Sequence, residues 1–133
     1  MNCLVDTHVL LWSLAEPERL DAPTRRVLEN PDHKKYVSSV SFWEISLKFG
    51  LGKLHLGGIS PEDTVDTCID AGFGIMPLAP EHAASVYRLP GHDNHKDPFD
   101  RLLIWQCLQQ GLTMLTTDAR IREYRDEGLK LLL

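Results

Sequence analysis

Short apolar runs alternate with helical patterns along the whole 133-residue chain, and this alternation limits the fold more than any other feature. A tight turn cannot join parallel strands, so each pair of them needs a crossover connection, which is usually a helix. The alternation therefore predicts an α/β fold with a mainly parallel sheet in one domain. The predicted strands are residues 2–5, 36–38, 74–78, 113–117 and 129–132.

Prolines, glycines and capping residues mark where the predicted helices begin and end. The clearest helix starts at Asp97, carries an apolar stripe through Ile104 and Cys107, and ends at Gly111. Residues 90–96 are rich in turn-forming residues and are predicted to form a loop. The other predicted helices are residues 7–15, 23–30, 41–49, 61–71 and 80–88, with a short one after Asp118.

The composition limits the classes of function. The net charge of −5 is opposite in sign to that of a typical nucleic-acid-binding module, unless acids are concentrated at a site for divalent cations. No apolar run approaches the roughly 20 residues of a membrane helix. Asp6 and His8 interrupt the apolar start of the chain, which argues against a signal peptide. The unpaired cysteines Cys3, Cys68 and Cys107 are expected to be buried thiols, so a cytoplasmic protein is expected.

Four acidic residues fall at positions that the predicted fold would bring together. Asp6 and Asp118 each follow a strand directly, and ligands of open α/β sheets bind beyond the carboxyl ends of the strands. Asp100 lies on the face of its helix that packs on the sheet, at the N-terminal end of that face. Glu44 lies in the first turn of a helix among apolar neighbours, where an unpaired carboxylate is costly to bury.

Each acid also has a purely structural interpretation. Asp97 and Asp100 suit the first turn of their helix, and Ser41 with Glu44 fits a capping box. Capping explains each residue alone but not the convergence of four. Clustered carboxylates repel one another unless a cation is present, and oxygen ligands favour Mg²⁺ or Mn²⁺ over zinc. Such ions assist phosphodiester hydrolysis, so the cluster indicates that chemistry.

The segments that hold these acids resemble the PIN-domain family, and within it the VapC-type toxins of bacterial type II toxin–antitoxin pairs. The resemblance is collinear and spans nearly the whole chain. Each segment alone is weakly or moderately specific, but DTHVLLW and HKDPFDRLL together are quite specific. The matching segments are residues 4–12 (LVDTHVLLW), 41–45 (SFWEI), 95–103 (HKDPFDRLL) and 115–118 (LTTD).

This resemblance implies a three-layer α/β/α sandwich with a central, mainly parallel sheet, spanning residues 1–133 as a single domain. It also implies an endoribonuclease that uses Mg²⁺ or Mn²⁺, forms a homodimer and is blocked by a cognate antitoxin. Asp6, Glu44, Asp100 and Asp118 match the family's acidic positions and are the expected catalytic and metal-binding residues. Asp97 matches an additional acid of this branch and is a fifth candidate metal ligand.

Other polar residues near the acids have weaker functional interpretations. The hydroxyls of Thr7 and Thr117 are candidate substrate contacts, although the sequence favours local turn bonding for both. Arg101 is a candidate contact for phosphate or for an acid of the pocket, with a helix-surface salt bridge as the alternative. His92 and His95 are expected to be exposed loop residues, with substrate or metal contact as the alternative.

Three classes of function are compatible with these features. The first is the nuclease, and the second is a catalytically silent PIN-like module that binds RNA or a protein. The third is another Mg²⁺-dependent α/β enzyme, such as a phosphatase, but His8 stands where a dehalogenase-type phosphatase has its second Asp. The preference for RNA over DNA comes from the resemblance alone. Trp12 and Trp43 are expected to be core residues because their neighbours are apolar.

Overall fold

The computed structural model describes residues 1–92 and 95–132, and in that part of the chain five strands form one sheet. The strands are β1 (Asn2–Val5), β2 (Lys34–Ser38), β3 (Gly74–Met76), β4 (Thr113–Leu115) and β5 (Lys130–Leu131). Their order is β3-β2-β1-β4-β5, and every neighbouring pair is parallel. The predicted parallel α/β fold is confirmed. Asp93 and Asn94 of the predicted loop, and Leu133, lie outside the described residues.

Helices connect the strands, as the alternation predicted. The α-helices are α1 (Thr7–Ala15), α2 (Ala22–Glu29), α3 (Ser39–Gly50), α4 (Asp63–Asp70), α5 (Pro80–Ser85) and α6 (Pro98–Gln110). The predicted helix at residues 80–88 is divided into α5 and a 3₁₀ helix, Val86–Arg88. The helix after Asp118 is a 3₁₀ helix, Ala119–Glu127. No helix in the described ranges is both long and apolar enough to cross a membrane.

Apolar residues on the two faces of the sheet belong to two separate core clusters. In β1, Cys3 and Val5 point to one face and Leu4 to the other, as strand geometry requires. The first cluster includes Val9 and other residues of α1, α2 and α4, while the second includes Leu103 and other residues of α6. Helices therefore cover both faces of the sheet, which gives the three layers expected from the resemblance.

The strand order reverses at the middle of the sheet. From β1 the chain builds outward through β2 and β3, and it returns to place β4 on the other side of β1. At this switch point the backbone N–H of Asp6 donates a hydrogen bond of 3.0 Å to the carbonyl of Leu115. Ligands of open α/β sheets bind beside such switch points, at the carboxyl ends of the strands.

Candidate active site

Asp6 lies where β1 ends and α1 begins. Its carboxylate caps α1 by accepting a hydrogen bond of 2.7 Å from the Val9 backbone N–H, and only 4% of the residue is exposed. Burial raises the pKa of Asp6 to about 6, although hydrogen bonds from the Thr116 side chain and from Val9 oppose that rise. The negative charge of Asp100 adds to the increase in pKa. Asp6 is therefore a cap and, at the same time, a buried acid facing a second acid.

Asp100 lies in the first turn of α6, and Asp97 caps that helix. Asp97 accepts backbone hydrogen bonds of 2.9 Å from Phe99 and 3.1 Å from Asp100. The Asp100 carboxylate lies 3.0 Å from Nε2 of His95. Burial raises the pKa of Asp100, the His95 hydrogen bond lowers it, and the carboxylates of Asp97 and Glu44 raise it further. These three acids therefore repel one another in the absence of a cation.

Glu44 lies on α3, the helix that begins directly after β2 and is capped by Ser38. It is 3% exposed. One carboxylate oxygen, Oε2, forms an ion pair with the ammonium group of Lys48, one turn further along α3. The other oxygen, Oε1, is buried and has no hydrogen-bond partner among the described residues. A buried carboxylate oxygen without a donor is costly, so this atom is a candidate cation ligand.

Asp118 begins the 3₁₀ helix Ala119–Glu127, three residues beyond the end of β4. Its carboxylate accepts a backbone hydrogen bond of 2.9 Å from Arg120, and the Arg120 guanidinium binds both carboxylate oxygens at 3.1 and 2.8 Å. These hydrogen bonds from Arg120 hold the pKa of Asp118 below its usual range, against a smaller effect of burial. Asp118 is therefore ionised and oriented by its own helix.

Hydroxyl groups connect the elements that carry the acids. The Thr116 hydroxyl hydrogen-bonds with the Asp6 carboxylate and accepts a hydrogen bond of 3.1 Å from the Asp118 backbone N–H. The Thr7 hydroxyl donates 3.0 Å to that of Ser41, which joins α1 to α3. Thr117, the other threonine selected from the sequence, is exposed. Successive residues of an extended chain point to opposite sides. Thr116, the neighbour of Thr117, is therefore the threonine that faces the acids.

Arg101 is half-buried, and its guanidinium binds other groups of the protein. Its guanidinium donates to the carbonyls of Leu89 (2.6 Å) and Pro90 (3.2 Å) and to the hydroxyl of Tyr124 (3.2 Å). These contacts tie the start of α6 to the preceding loop and to the 3₁₀ helix Ala119–Glu127. They differ from the roles considered from the sequence, which were a contact with phosphate, a pair with a pocket acid and a surface salt bridge.

Two expectations about aromatic side chains were wrong. His95 is not an exposed loop residue, because it is 1% exposed and lies between Asp100 and Tyr124. Trp43 is not a core residue, because it is 55% exposed; its ring makes an edge-on contact with Phe99, at 4.8 Å between ring centres. Both depend on distant parts of the chain, which the neighbouring residues do not reveal.

The cluster has the chemistry of a divalent-cation site. Side-chain ligand atoms of His95, Asp100 and Asp118 all lie within 4.8 Å of one another. Asp6 and Glu44 lie close enough to Asp100 for the charges to shift pKa values across the cluster. Carboxylates dominate this set, and one buried oxygen of Glu44 lacks a donor, so the residues fit Mg²⁺ or Mn²⁺.

The fold and this cluster together define a parallel α/β protein with an acidic site at the switch point of its sheet. A model of the PIN domain matches residues 3–127, so the chain belongs to the PIN-domain family. Ribonuclease VapC22 of Mycobacterium tuberculosis is 27% identical over 131 residues, which cover 92% of this chain and 91% of that protein.

Solved structures of similar fold support the architecture. VapBC2 from Rickettsia felis, bound to a DNA fragment from its promoter, has a TM-score of 0.65 at 14% identity and covers 98% of this chain and 97% of its own. VapBC-1 from nontypeable Haemophilus influenzae has the same TM-score at 13% identity and covers 98% and 96%. At these identities the likeness extends to the fold alone.

Proposed function

We propose that this protein is a divalent-metal-dependent endoribonuclease that acts in the cytoplasm as the toxin of a toxin–antitoxin pair. Membership of the PIN-domain family and the similarity to Ribonuclease VapC22 support the nuclease assignment. Among the site residues, the unsatisfied Oε1 of Glu44 supports a metal centre most directly. A buried oxygen with no donor is costly in a folded protein, and a cation would satisfy it.

Asp6, Glu44, Asp100 and Asp118 would hold the cation, with Asp97 as a fifth carboxylate beside Asp100. When bound, a divalent cation supplies activation of water and charge stabilisation at a phosphodiester. Oxygen-rich sites of this kind suit Mg²⁺ and Mn²⁺. Burial is the main cause of the raised pKa of Asp6 and Asp100, and repulsion from neighbouring carboxylates adds to it; a bound cation would remove that repulsion.

The remaining residues of the site hold these acids in place. Lys48 forms an ion pair with Glu44, and Arg120 forms one with Asp118, so each basic group offsets the charge of its acid. Thr116 joins the side chain of Asp6 to the backbone of Asp118. Thr7 and Thr117 remain candidate substrate contacts. Because the Thr7 hydroxyl is hydrogen-bonded to that of Ser41, Thr7 would also hold α1 against α3.

A cognate antitoxin and a second copy of this chain are the proposed protein partners, and RNA is the proposed substrate. The similar solved structures are VapBC toxin–antitoxin complexes, which supports an antitoxin. An exposed apolar stripe on α3 and its C-cap residue supports a protein partner as well, because large exposed apolar side chains at helical spacing mark interaction surfaces. The stripe consists of Trp43 (55% exposed), Leu47 (44%) and Leu51 (59%).

A cleavage assay tests the proposal. Single-stranded and hairpin RNA, and DNA of the same sequence, are incubated with the protein and Mg²⁺ or Mn²⁺, with and without chelator. Asp6→Asn and Asp100→Asn should each slow RNA cleavage by about 100-fold or more, equivalent to about 2.7 kcal/mol of transition-state stabilisation. Asp63→Asn is the control, because Asp63 accepts a backbone hydrogen bond of 3.0 Å from Ser60 at the exposed start of α4.

Each other outcome has a defined meaning. Cleavage that persists at wild-type rate in both variants, or that resists the chelator, would contradict the proposal. Binding of Mn²⁺ without cleavage of any RNA would favour the alternative, a silent PIN-like module that binds RNA or a protein.

A further inference from the structure

We propose that His95 is a positioning residue that fixes the Asp100 carboxylate at the end of a directed chain of hydrogen bonds, Arg101 to Tyr124 to His95 to Asp100. The chain runs through the interior, since Tyr124 is 0% and His95 1% exposed. The consequence for metal binding and cleavage rests on the function proposed above, whereas the chain of hydrogen bonds does not.

The direction of the chain follows from the donors that each group possesses. A guanidinium has only donors, so Arg101 must donate to the Tyr124 hydroxyl, 3.2 Å away. The hydroxyl proton is then directed to Nδ1 of His95, also 3.2 Å away. In a neutral ring Nδ1 is therefore the acceptor, and Nε2 carries the proton that is donated to Asp100 at 3.0 Å. The opposite tautomer would place a lone pair of His95 against the Asp100 carboxylate.

Further contacts hold the chain rigidly. Arg101 is fixed by the carbonyls of Leu89 and Pro90. The ring of Tyr124 lies edge-on to two imidazoles, with ring centres 5.5 Å from His95 and 4.4 Å from His92. Buried hydrogen-bond networks of this kind restrict each member to one geometry when every group is satisfied.

The chain also connects the two halves of the candidate metal site. Asp100 and Arg101 lie on α6, while Tyr124 lies on the 3₁₀ helix that Asp118 begins. The chain therefore sets the position of α6 relative to that 3₁₀ helix, and with it the spacing of the two carboxylates. A histidine that orients a metal-binding carboxylate in this way acts through the ligand, and its loss typically weakens metal binding or activity by about 10–100-fold.

The same geometry argues that His95 is not itself a metal ligand. Its Nε2 lies within the group of atoms that are mutually within 4.8 Å, which by distance alone would admit it. The proton on Nε2 and the bond to Asp100 occupy that atom, and Tyr124 occupies Nδ1. One oxygen of Asp100 is thereby held by His95, and the other is left for the cation.

Nitrogen NMR of the imidazoles in the metal-free protein tests the direction of the chain. With ¹⁵N-labelled histidine, the neutral form of the His95 ring should carry its proton on Nε2 and leave Nδ1 unprotonated. Tyr124→Phe keeps the ring packing and removes only the hydroxyl that donates to Nδ1, so the Nδ1 resonance should shift while the Asp100 carboxylate still holds the proton on Nε2. A protonated Nδ1 with an unprotonated Nε2 in the wild type, or an Nδ1 resonance that Tyr124→Phe leaves unchanged, would overturn the proposal.

Binding of Mn²⁺, followed by electron paramagnetic resonance, separates positioning from mere packing. His95→Leu should weaken Mn²⁺ binding by about 10–100-fold. His95→Gln, whose amide can donate from nearly the same place as Nε2, should restore most of the affinity. Affinity that is unchanged in a folded His95→Leu, or equally lost in both variants, would contradict the proposal. His55→Gln, at an exposed histidine, is the control.

These readouts remain informative in two other cases. If His95→Leu does not fold, Tyr124→Phe still tests the chain, with a several-fold loss of Mn²⁺ affinity expected and an unchanged affinity contradicting it. If the wild type cleaves no RNA, the tautomer of His95 is still measurable. The proposed function would then have failed without deciding the role of His95.

Discussion

The backbone N–H of Asp6 donates a 3.0 Å hydrogen bond to the carbonyl of Leu115, at the point where β1 and β4 end together. Three residues further along, Asp118 begins the next helix. The separation of these two acids is therefore set by the register of two central strands, in which Val5 pairs with Leu115. Side-chain flexibility therefore contributes little to this separation. The sheet holds the two acids near each other despite their mutual repulsion.

The burial of Asp6 should make the metal-free protein less stable as the pH rises. Its pKa is about 6 in the fold and 3.8 as the model value, so the fold favours the protonated form. The associated stability is present below about pH 4 and is lost as the pH rises through about 6, by about 3 kcal/mol. Asp6→Asn keeps the cap but cannot ionise, so its stability relative to wild type should increase by that amount between pH 4 and about pH 8.

Urea unfolding of the chelated protein at several pH values measures this difference. Asp21→Asn, at the exposed cap of α2, should change stability by only a few tenths of a kcal/mol at every pH. A difference between Asp6→Asn and wild type that does not vary with pH would show that Asp6 is not destabilised by burial.

Removing the ammonium group of Lys48 should make the stability of the fold depend more strongly on bound metal. Lys48→Met leaves the Glu44 carboxylate, whose side chain is 4% exposed, without its ion pair. Because Lys48 itself is 35% exposed and water can partly replace it, the cost should be about 1–3 kcal/mol. Mg²⁺ should then raise the melting temperature of Lys48→Met more than that of wild type. Lys53→Met, at an exposed lysine beyond α3, should behave like wild type in both measurements.

Arg120 should control the ionisation of Asp118. Arg120→Gln removes the guanidinium that binds both carboxylate oxygens, so the pKa of Asp118 should rise towards its usual range. Carbon-13 NMR titration of the aspartate carboxyl groups in the metal-free protein measures this change. Arg122→Gln removes the same charge from the same 3₁₀ helix and is the control. Equal effects of the two substitutions would indicate a general electrostatic influence instead of the direct contact.

Gly111 ends α6 in the left-handed conformation, with φ of 66°, and directs the chain into β4. Gly111→Ala should destabilise the protein by about 1 kcal/mol through backbone strain. An added Cβ would meet nothing within 4 Å, so a steric clash would not contribute. Gly50→Ala is the matched control, because Gly50 lies at the end of α3 with equal space and without a positive φ. Gly50→Ala should be neutral or slightly stabilising. Thermal unfolding should therefore give a lower melting temperature for Gly111→Ala and an unchanged or slightly higher one for Gly50→Ala.

The positions of the acids could be predicted because they depend on local features. Asp6 and Asp118 follow strands, and Asp97 and Asp100 begin a helix whose capping pattern is visible in six residues or fewer. The parallel sheet followed from the alternation of strands and helices. Glu44 could be placed on its helix, but its pairing with Lys48 depends on how deeply the start of α3 is buried.

The contacts that hold the acids could not be predicted, because they join distant residues. His95 is buried by Tyr124, 29 positions later, and Arg101 reaches back to Leu89, 12 positions earlier. Trp43 looked like a core residue among apolar neighbours, although it lies on the outer side of α3. A single sequence carries no signal for which side of a helix is covered when both sides are apolar.

The order of the elements along the chain affects when this site can exist during synthesis. Asp6, Glu44 and Asp100 are made first, but β1 acquires its neighbour β4 only with residues 113–115, and Asp118 follows. A product of translation that stops within α6 therefore has Asp6, Glu44 and Asp100, but it lacks β4, which lies beside β1, and Asp118. On the function proposed above, such a product would have an incomplete site and should not cut RNA.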